Sequence, residues 1–302
     1  MRGQLHLITP ACLVRQTGFP EYSVIYITLG PLLSRTMYES LYQQISQACC
    51  CITVFLGEEL LGEGTGFAIS QDGAVFTAAH VVTCRMPIRE SDYKDPAIKI
   101  YAKFPGVPVL EYNVSICGIH ISVDSFTEVV QIDQALLFPA QPVQFPFAAF
   151  TIGSPPRLGE EVFFAGYSDE LELPFQVDRL LKPETTGATG FFQAMQRGYR
   201  SDMTGPMIKR GVAGNVRRIG TVEAATNIEI ECEVFYIDNS IHCGASGGPI
   251  VNRNGLAVGV IVQRATTSAS QSSDPNLLVP SGATVGLGLQ TIPAMYRRLS
   301  GA

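Results

Sequence analysis

The sequence predicts an all-β fold, a barrel or sandwich of antiparallel strands, on three observations. Short apolar runs recur along the chain from Ile52 onward. Turn signals separate neighbouring runs, such as Gln71-Asp72-Gly73 and Asn254-Gly255. No helical patterns alternate with the runs, and 29 Gly and 19 Pro among 302 residues favour turns over long helices. These patterns argue against an α/β architecture.

Two helices are predicted at the ends of the strand region. A capping box, Thr36-Met-Tyr-Glu39, precedes apolar residues at helical spacing, which predicts an amphipathic helix to about Ala48. A closing helix is predicted over Ile292–Leu299. The predicted strands cover 52–56, 64–70, 74–78, 97–101, 128–138, 145–152, 161–166, 207–213, 228–237, 248–251, 256–263 and 284–290.

The composition limits the classes of function. With 21 Lys and Arg against 27 Asp and Glu, the chain offers no cationic surface for nucleic acid. No apolar run reaches the roughly 18 residues that a membrane helix needs, so no membrane span is expected.

The eight cysteines form neither a C-x-x-C pair nor a zinc-like spacing, so we expect no metal and no cofactor. They fit reduced core thiols in a cytoplasmic protein, with secretion or export left open. Cys49–Cys51 is read as a strand leading into the first unit, with acylation or redox chemistry as the alternative.

Three motifs carry the residue types that acyl transfer needs: TAAH ending in His80, DQALL beginning with Asp133, and GASGG around Ser246. Serine is a poor nucleophile near neutral pH and needs a base, for which histidine is suited. A carboxylate holds the imidazole in one tautomer. The glycines leave the serine hydroxyl unobstructed and let backbone amides converge, where they stabilise an oxyanion.

Two local alternatives accompany these motifs. Asp124 competes with Asp133 as the histidine partner, and the apolar residues after Asp133 favour the latter. His242 and Cys243 form a second nucleophile-base candidate beside Ser246. Because neighbouring residues on an extended chain point apart, we interpret them as pocket-wall residues.

In their order and sequence context, the motifs resemble those of chymotrypsin-fold serine proteases, and most closely the protease domain of the HtrA/Deg family. The resemblance covers about 52–299 and includes GTGFAIS at 64–70, AVGVI at 257–261 and GLGL at 286–289. It implies an N-terminal extension (1–50), a first six-stranded antiparallel β-barrel (51–152) and a second with a closing helix (153–302). The family's trailing PDZ domain has no counterpart before Ala302, so we expect a stand-alone protease domain.

The same resemblance implies the roles of individual residues. His80 acts as general base and then acid, Asp133 orients it, and Ser246 is the nucleophile. The oxyanion hole is formed by the amides of Gly244 and Ser246, with Ala245 as a further contributor. The positions that match substrate-binding positions of the fold are Ser240, Ile241, Val262, Gln263, Gly286 and Gly288.

The sequence thus predicts a serine endopeptidase acting on protein or peptide substrates through an acyl-enzyme. Because Ser240 supplies no carboxylate, small to medium uncharged residues are expected at P1, the residue before the cleaved bond. A protease-fold scaffold that binds polypeptides without cutting them is the main alternative, and an esterase or transferase is a third. A polar run within 264–282 predicts a mobile loop for an activating partner.

Overall fold

Two closed six-stranded antiparallel barrels make up the fold, which confirms the predicted all-β, chymotrypsin-like class. The computed structural model describes residues 37–121, 127, 129–167, 181–223, 228–269 and 277–292. In the first barrel the strands are β1 (Cys49–Leu56), β2 (Glu59–Ala68), β3 (Val75–Thr77), β4 (Ile98–Lys103), β5 (Leu110–Ile121) and β6 (Val130–Pro139), in the order β1-β2-β3-β6-β5-β4.

The second barrel repeats this arrangement in the order β10-β11-β12-β9-β8-β7. Its strands are β7 (Glu161–Gly166), β8 (Met207–Glu223), β9 (Ile228–Ile237), β10 (Pro249–Asn252), β11 (Ala257–Ser268) and β12 (Leu278–Gly288). Alternate residues of these strands, among them Phe164, Phe235 and Ile250, form its buried interior.

The helices are short apart from the first. They are α1 (Met37–Ala48), α2 (Ala79–Thr83), α3 (Ser91–Lys94), α4 (Ala188–Ala194), a π-helical turn (Met195–Tyr199) and α5 (Ser201–Thr204). No helix in the described ranges is long and apolar enough to cross a membrane.

Helix α1 contacts both barrels. It runs directly into β1 of the first barrel, while its Tyr38 and Tyr42 rings lie 5.6 and 5.9 Å from the ring of Phe163 in the second. Gln44 donates a hydrogen bond to the Gly255 carbonyl at 3.2 Å. The predicted amphipathic helix therefore packs as a docking helix; its capping residue Thr36 lies outside the described residues.

One predicted strand is absent from the structure, and one observed strand was not predicted. Residues 145–152 form no regular strand, because Pro146 lies within the segment and has no N–H to donate to a strand ladder; the segment crosses between the barrels and makes one bridge, Ile152 to Ala257. Strand β5 was not predicted, although Leu110, Tyr112 and Val114 alternate with polar residues as a half-buried strand should.

The predicted loop over 264–282 needs correction. Arg264 to Ser268 continue β11, and they pair with β12 as far as Ser268 opposite Leu278. A strand pair needs only backbone hydrogen bonds and tolerates exposed threonines, so a polar composition does not prevent it. Residues 270–276 lie outside the described residues, as does most of the predicted closing helix; Thr291 and Ile292 are helical.

The cysteine triplet lies in β1, where Cys49 and Cys50 are fully buried. Burial raises the pKa of the Cys49 and Cys50 thiols well above their usual range and that of Cys51 to about 12. This environment stabilises neutral, unreactive thiols.

We therefore expect alkylation of the native protein at pH 8 to modify exposed Cys84 and half-exposed Cys243 but spare the triplet. Since the thiolate fraction falls about tenfold per pKa unit, labelling of Cys51 should be slower by at least about 10²-fold than in denatured protein. Peptide mass spectrometry before and after denaturation measures this. Rapid native labelling of the triplet would contradict a buried strand.

Candidate active site

The histidine and aspartate predicted to act together are in direct contact. His80 Nδ1 lies 2.6 Å from Asp133 Oδ2, and the His80 backbone N–H donates to Asp133 Oδ1 at 2.9 Å. Strands β3 and β6 create this contact because Thr77 pairs with Ala135, so α2 begins beside Asp133. Asp124, the competing carboxylate, lies outside the described residues.

One oxygen of the Asp133 carboxylate contacts the His80 ring and the other accepts from the His80 backbone N–H, so the carboxylate holds both the ring and its main chain. In the tautomer that carries its proton on Nδ1, this N–H donates to Asp133 and Nε2 presents a lone pair. The His80 and Asp133 side chains are 25% and 13% exposed, so the pair lies at the edge of the cleft, within reach of a substrate.

Ser246 occupies a tight turn that only glycine-rich sequence can form. Gly244 and Gly247 both adopt a φ of +83°, in the left-handed region that side chains disfavour. A Cβ on Gly247 would lie 2.1 Å from the Thr65 carbonyl oxygen, so the turn packs directly against the first barrel. The Ser246 carbonyl in turn accepts a bond from the Thr65 N–H at 2.9 Å.

Two backbone hydrogen bonds within residues 242–248 stabilise the same turn. Ala245 N–H donates to the His242 carbonyl at 3.4 Å, and Gly248 N–H donates to the Ala245 carbonyl at 3.0 Å. Ala245 is buried in the second barrel. Its N–H is therefore engaged within the turn, and its share in the oxyanion hole stays a prediction.

Thr65 on β2 is a site residue that the motifs did not reveal. Its buried hydroxyl donates to the Gly244 carbonyl and accepts from the Tyr167 N–H, both at 2.9 Å. It thereby fixes the peptide group between Gly244 and Ala245 within the serine turn. Thr65 lies in the GTGF run before His80, which the sequence analysis had noted. Its hydrogen-bond partner Gly244 is 179 residues away in the chain, so the local pattern did not reveal the contact.

A cleft of about 570 Å³ runs past this turn between the barrels. His80, Asp133 and Ser246 all line it, so the structure brings the three predicted residues to one cavity. Three of the predicted substrate-binding residues line it as well: Ile241, Val262 and Gln263.

Gly286 and Gly288 are placed differently from the expectation. A Cβ on Gly286 would lie 2.4 Å from Ile250 Cδ1, inside the barrel, and one on Gly288 would lie 2.9 Å from Glu233. Side chains alternate along β12, so Val285 and Leu287 line the cleft instead. Neither glycine is among the residues that line the cleft.

The Ser240 carbonyl accepts a hydrogen bond from Lys209, a residue that the sequence analysis did not place near the site. Lys209, on β8 opposite Phe164, donates from Nζ to the Ser240 carbonyl at 2.5 Å. Among the described residues no carboxylate lies within ion-pair distance of this ammonium. Lys209 is 37 residues before Ser246 in the chain, and only strand order brings it near the matched specificity position.

The neighbouring Cys243 contacts an arginine. Arg264 Nη2 lies 2.7 Å from the Cys243 sulfur, so the side chain of Arg264 reaches back from β11 to the serine turn. Cys243 and His242 both line the cleft, as expected for pocket-wall residues.

Two closed barrels with a His–Asp pair and a glycine-bounded serine in the cleft between them define the class of two-barrel, chymotrypsin-fold peptidases. Residues 64–260 match the family model described as the trypsin-like peptidase domain. That match covers well over half of the chain, and the protein belongs to this family.

Solved structures similar to this chain include the Rv3671c protease from M. tuberculosis in its active form. The identity is 17% and the TM-score 0.48, over 89% of this chain and 92% of that one. The inactive form of the Rv3671c protease gives 16% and 0.46, over 87% and 93% of the two chains. No curated protein matches the chain.

Proposed function

We propose that this protein is a serine endopeptidase that cleaves peptide bonds through an acyl-enzyme. The single observation that supports this most is the His80–Asp133 contact of 2.6 Å beside the cleft that Ser246 also lines. Membership of a peptidase family agrees with it. All three positions have the residue type that the proposed reaction needs: histidine, aspartate and serine.

Each residue has a defined part in the proposed reaction. Ser246 Oγ attacks the scissile carbonyl while His80 Nε2 takes its proton, and Asp133 stabilises the imidazolium that forms. The amides of Gly244 and Ser246 donate to the developing oxyanion. His80 then protonates the leaving amine, and a water molecule, activated by the same nitrogen, hydrolyses the acyl-enzyme.

Digestion of an unstructured protein and a peptide library, followed by mass spectrometry of the products, tests this proposal. We expect wild-type protein to give defined new termini and Ser246→Ala to give none. Peptide binding without any product would favour the scaffold alternative. Cleavage of an ester but not of the matching amide would favour an esterase.

We further propose that the enzyme prefers small to medium uncharged residues such as Val, Ala or Leu at P1. Ser240 provides no carboxylate for a cationic side chain, and the Lys209 ammonium on its carbonyl adds like-charge repulsion. A buried cation without a partner is strongly disfavoured.

In peptides that differ only at P1, we therefore expect kcat/KM for Lys or Arg to be about 10²-fold below that for Val or Leu. Lys209→Met should reduce this discrimination about tenfold by removing the repelling charge. Lys99→Met is the matched control, because Lys99 is exposed and pairs with Glu111 on the first barrel. A preference for Lys or Arg in the wild-type protein would overturn the proposal.

We also propose an activating partner that binds the end of the β11–β12 hairpin. Because β11 and β12 are paired to Ser268 and Leu278, such a partner would engage the exposed hairpin end rather than order a long loop. Strand β11 connects that end to Val262 and Gln263 in the cleft, so a partner that binds the hairpin could shift these two residues.

A further inference from the structure

Two side chains of the first barrel donate hydrogen bonds to backbone carbonyls of the second barrel. One is Thr65 on β2, whose hydroxyl donates to the Gly244 carbonyl of the serine turn at 2.9 Å. The other is Gln134 on β6, whose Nε2 donates to the Gly288 carbonyl at the end of β12 at 2.6 Å. Gln134 directly follows Asp133, so the second contact starts beside the carboxylate of the site.

Strand register places Thr65 and Gln134 in one row of the first barrel. Gly66 of β2 and Ala135 of β6 both pair with Thr77 of β3. Strands β2 and β6 run in the same direction, because each is antiparallel to β3. Thr65 and Gln134 each precede one of the paired residues, so they stand at the same level and on the same face, on either side of the strand that leads into α2.

The two acceptor carbonyls of the second barrel belong to the framework that holds Ser246. The first lies in the serine turn itself. The second belongs to Gly288, which pairs with β11. Ile261 of β11 accepts from the Gly247 N–H at 2.7 Å and donates to the Gly248 carbonyl at 2.9 Å. One contact therefore reaches the serine turn directly, and the other reaches it through β11.

The Gln134 side chain is buried with only one end of its amide bonded. The residue is 0% exposed, and its Oε1 has no hydrogen-bond partner among the described residues. An unpartnered buried oxygen lowers the stability of the fold by an amount similar to what the Nε2 bond contributes. An apolar side chain of the same length would serve packing about equally well, so stability does not explain a glutamine at this position.

We propose that Gln134 is a positioning residue, which together with Thr65 sets the angle at which the two barrels dock. His80 belongs to the first barrel and Ser246 to the second, so this angle determines the distance from His80 Nε2 to Ser246 Oγ. A single point of contact permits rotation about it, whereas a second point in the same row opposes that rotation. The inference rests on the proposed peptidase function, because it takes Ser246 as the nucleophile and His80 as its base.

Gln134→Met tests this inference, because methionine keeps the length of the side chain but removes the donor. The readout is the rate at which a fluorophosphonate labels Ser246 between about pH 5 and pH 9. We expect the plateau rate at high pH to fall by about 10- to 10²-fold, since a misplacement of about 1 Å can lower a rate about 10²-fold. The pH midpoint should stay at the wild-type value, because His80 and Asp133 both lie in the first barrel and keep their contact.

The thermal unfolding midpoint separates positioning from stability. It should stay within about 4 °C of wild type, because loss of the Nε2 bond is offset by removal of the unpartnered oxygen. Gln44→Met is the matched control. Gln44 Nε2 also donates to a glycine carbonyl of the second barrel, that of Gly255, but at 3.2 Å in a partly exposed place, and neither residue lines the cleft. Its labelling rate should remain within about twofold of wild type.

A second variant, Gln134→Asn, keeps the amide but is one methylene shorter, so we expect it to lose the bond and to label as slowly as Gln134→Met. Labelling of either folded variant at the wild-type rate would overturn the inference. Unfolding of both variants would overturn it as well, because Gln134 would then be a residue of stability. Failure of the proposed function gives a different result, in which the wild-type protein itself is not labelled on Ser246.

Discussion

Replacing Ser246, His80 or Asp133 singly is expected to lower kcat/KM for peptide cleavage by about 10⁴- to 10⁶-fold. Ser246→Ala removes the nucleophile, His80→Ala removes the base, and Asp133→Asn replaces the carboxylate at the 2.6 Å contact by an amide, which favours the wrong tautomer of the ring. Because the three act as one unit, the double variant Ser246→Ala/His80→Ala should be scarcely worse than either single change. Steady-state cleavage of one quenched peptide measures all of them.

Matched controls come from residues of the same types outside the cleft. Ser115→Ala and His120→Gln change exposed side chains on β5 and should leave kcat/KM within about twofold of wild type, since exposed sites contribute little. If the fold-losses in kcat/KM of the two single variants multiplied in the double variant, the residues would not act together.

Thr65→Val is expected to reduce both stability and catalysis. The change keeps the shape of the side chain but leaves the Gly244 carbonyl and the Tyr167 N–H without their 2.9 Å partners. Two unsatisfied buried groups should lower the free energy of unfolding by about 2–4 kcal/mol. Loss of the bond to the Gly244 carbonyl loosens the serine turn, so the Gly244 N–H, which belongs to the preceding peptide group, should shift with it. If that N–H is the oxyanion donor we propose, kcat should fall by about 10²-fold while KM changes little, because such a donor acts in the transition state.

The first barrel contains a control for this substitution. Thr53 on β1 is 1% exposed, and its hydroxyl has no hydrogen-bond partner among the described groups, so Thr53→Val should be neutral or stabilising. Thr65→Ser retains the hydroxyl and should recover most of the lost kcat. A Thr65→Val protein that is destabilised but has normal kcat would restrict Thr65 to a structural role.

The fold and the centre of the site follow from local sequence signals. Alternating or continuous apolar runs bounded by Gly-rich turns predict the strands, and Ile228–Ile237 was predicted with its observed ends. The glycines around Ser246 are required by their positive φ angles and close contacts, so a serine in that setting was identifiable. His80 and Asp133 were recognisable from their strand contexts and the resemblance.

The remaining features depend on contacts that local patterns do not encode. Lys103 and Asp202 form an ion pair although they are 99 residues apart, and a lysine at the end of an apolar strand gives no sign of its partner. The placement of Gly286 and Gly288 depends on which face of β12 turns inward, and a glycine carries no polarity to indicate this. The hairpin beyond Arg264 was hidden by its polar composition, since exposed strand pairing leaves no apolar pattern.

Labelling with a fluorophosphonate probe tests whether Ser246 is an activated nucleophile, because this reagent reacts with an activated serine and needs no knowledge of the natural substrate. We expect one adduct per molecule in the wild-type protein, located on the peptide that contains Ser246, and no adduct in Ser246→Ala. We also expect His80→Ala to be labelled far more slowly. Equal labelling of wild type and Ser246→Ala, or no adduct on Ser246 in the folded wild-type protein, would contradict the assignment of Ser246 as an activated nucleophile.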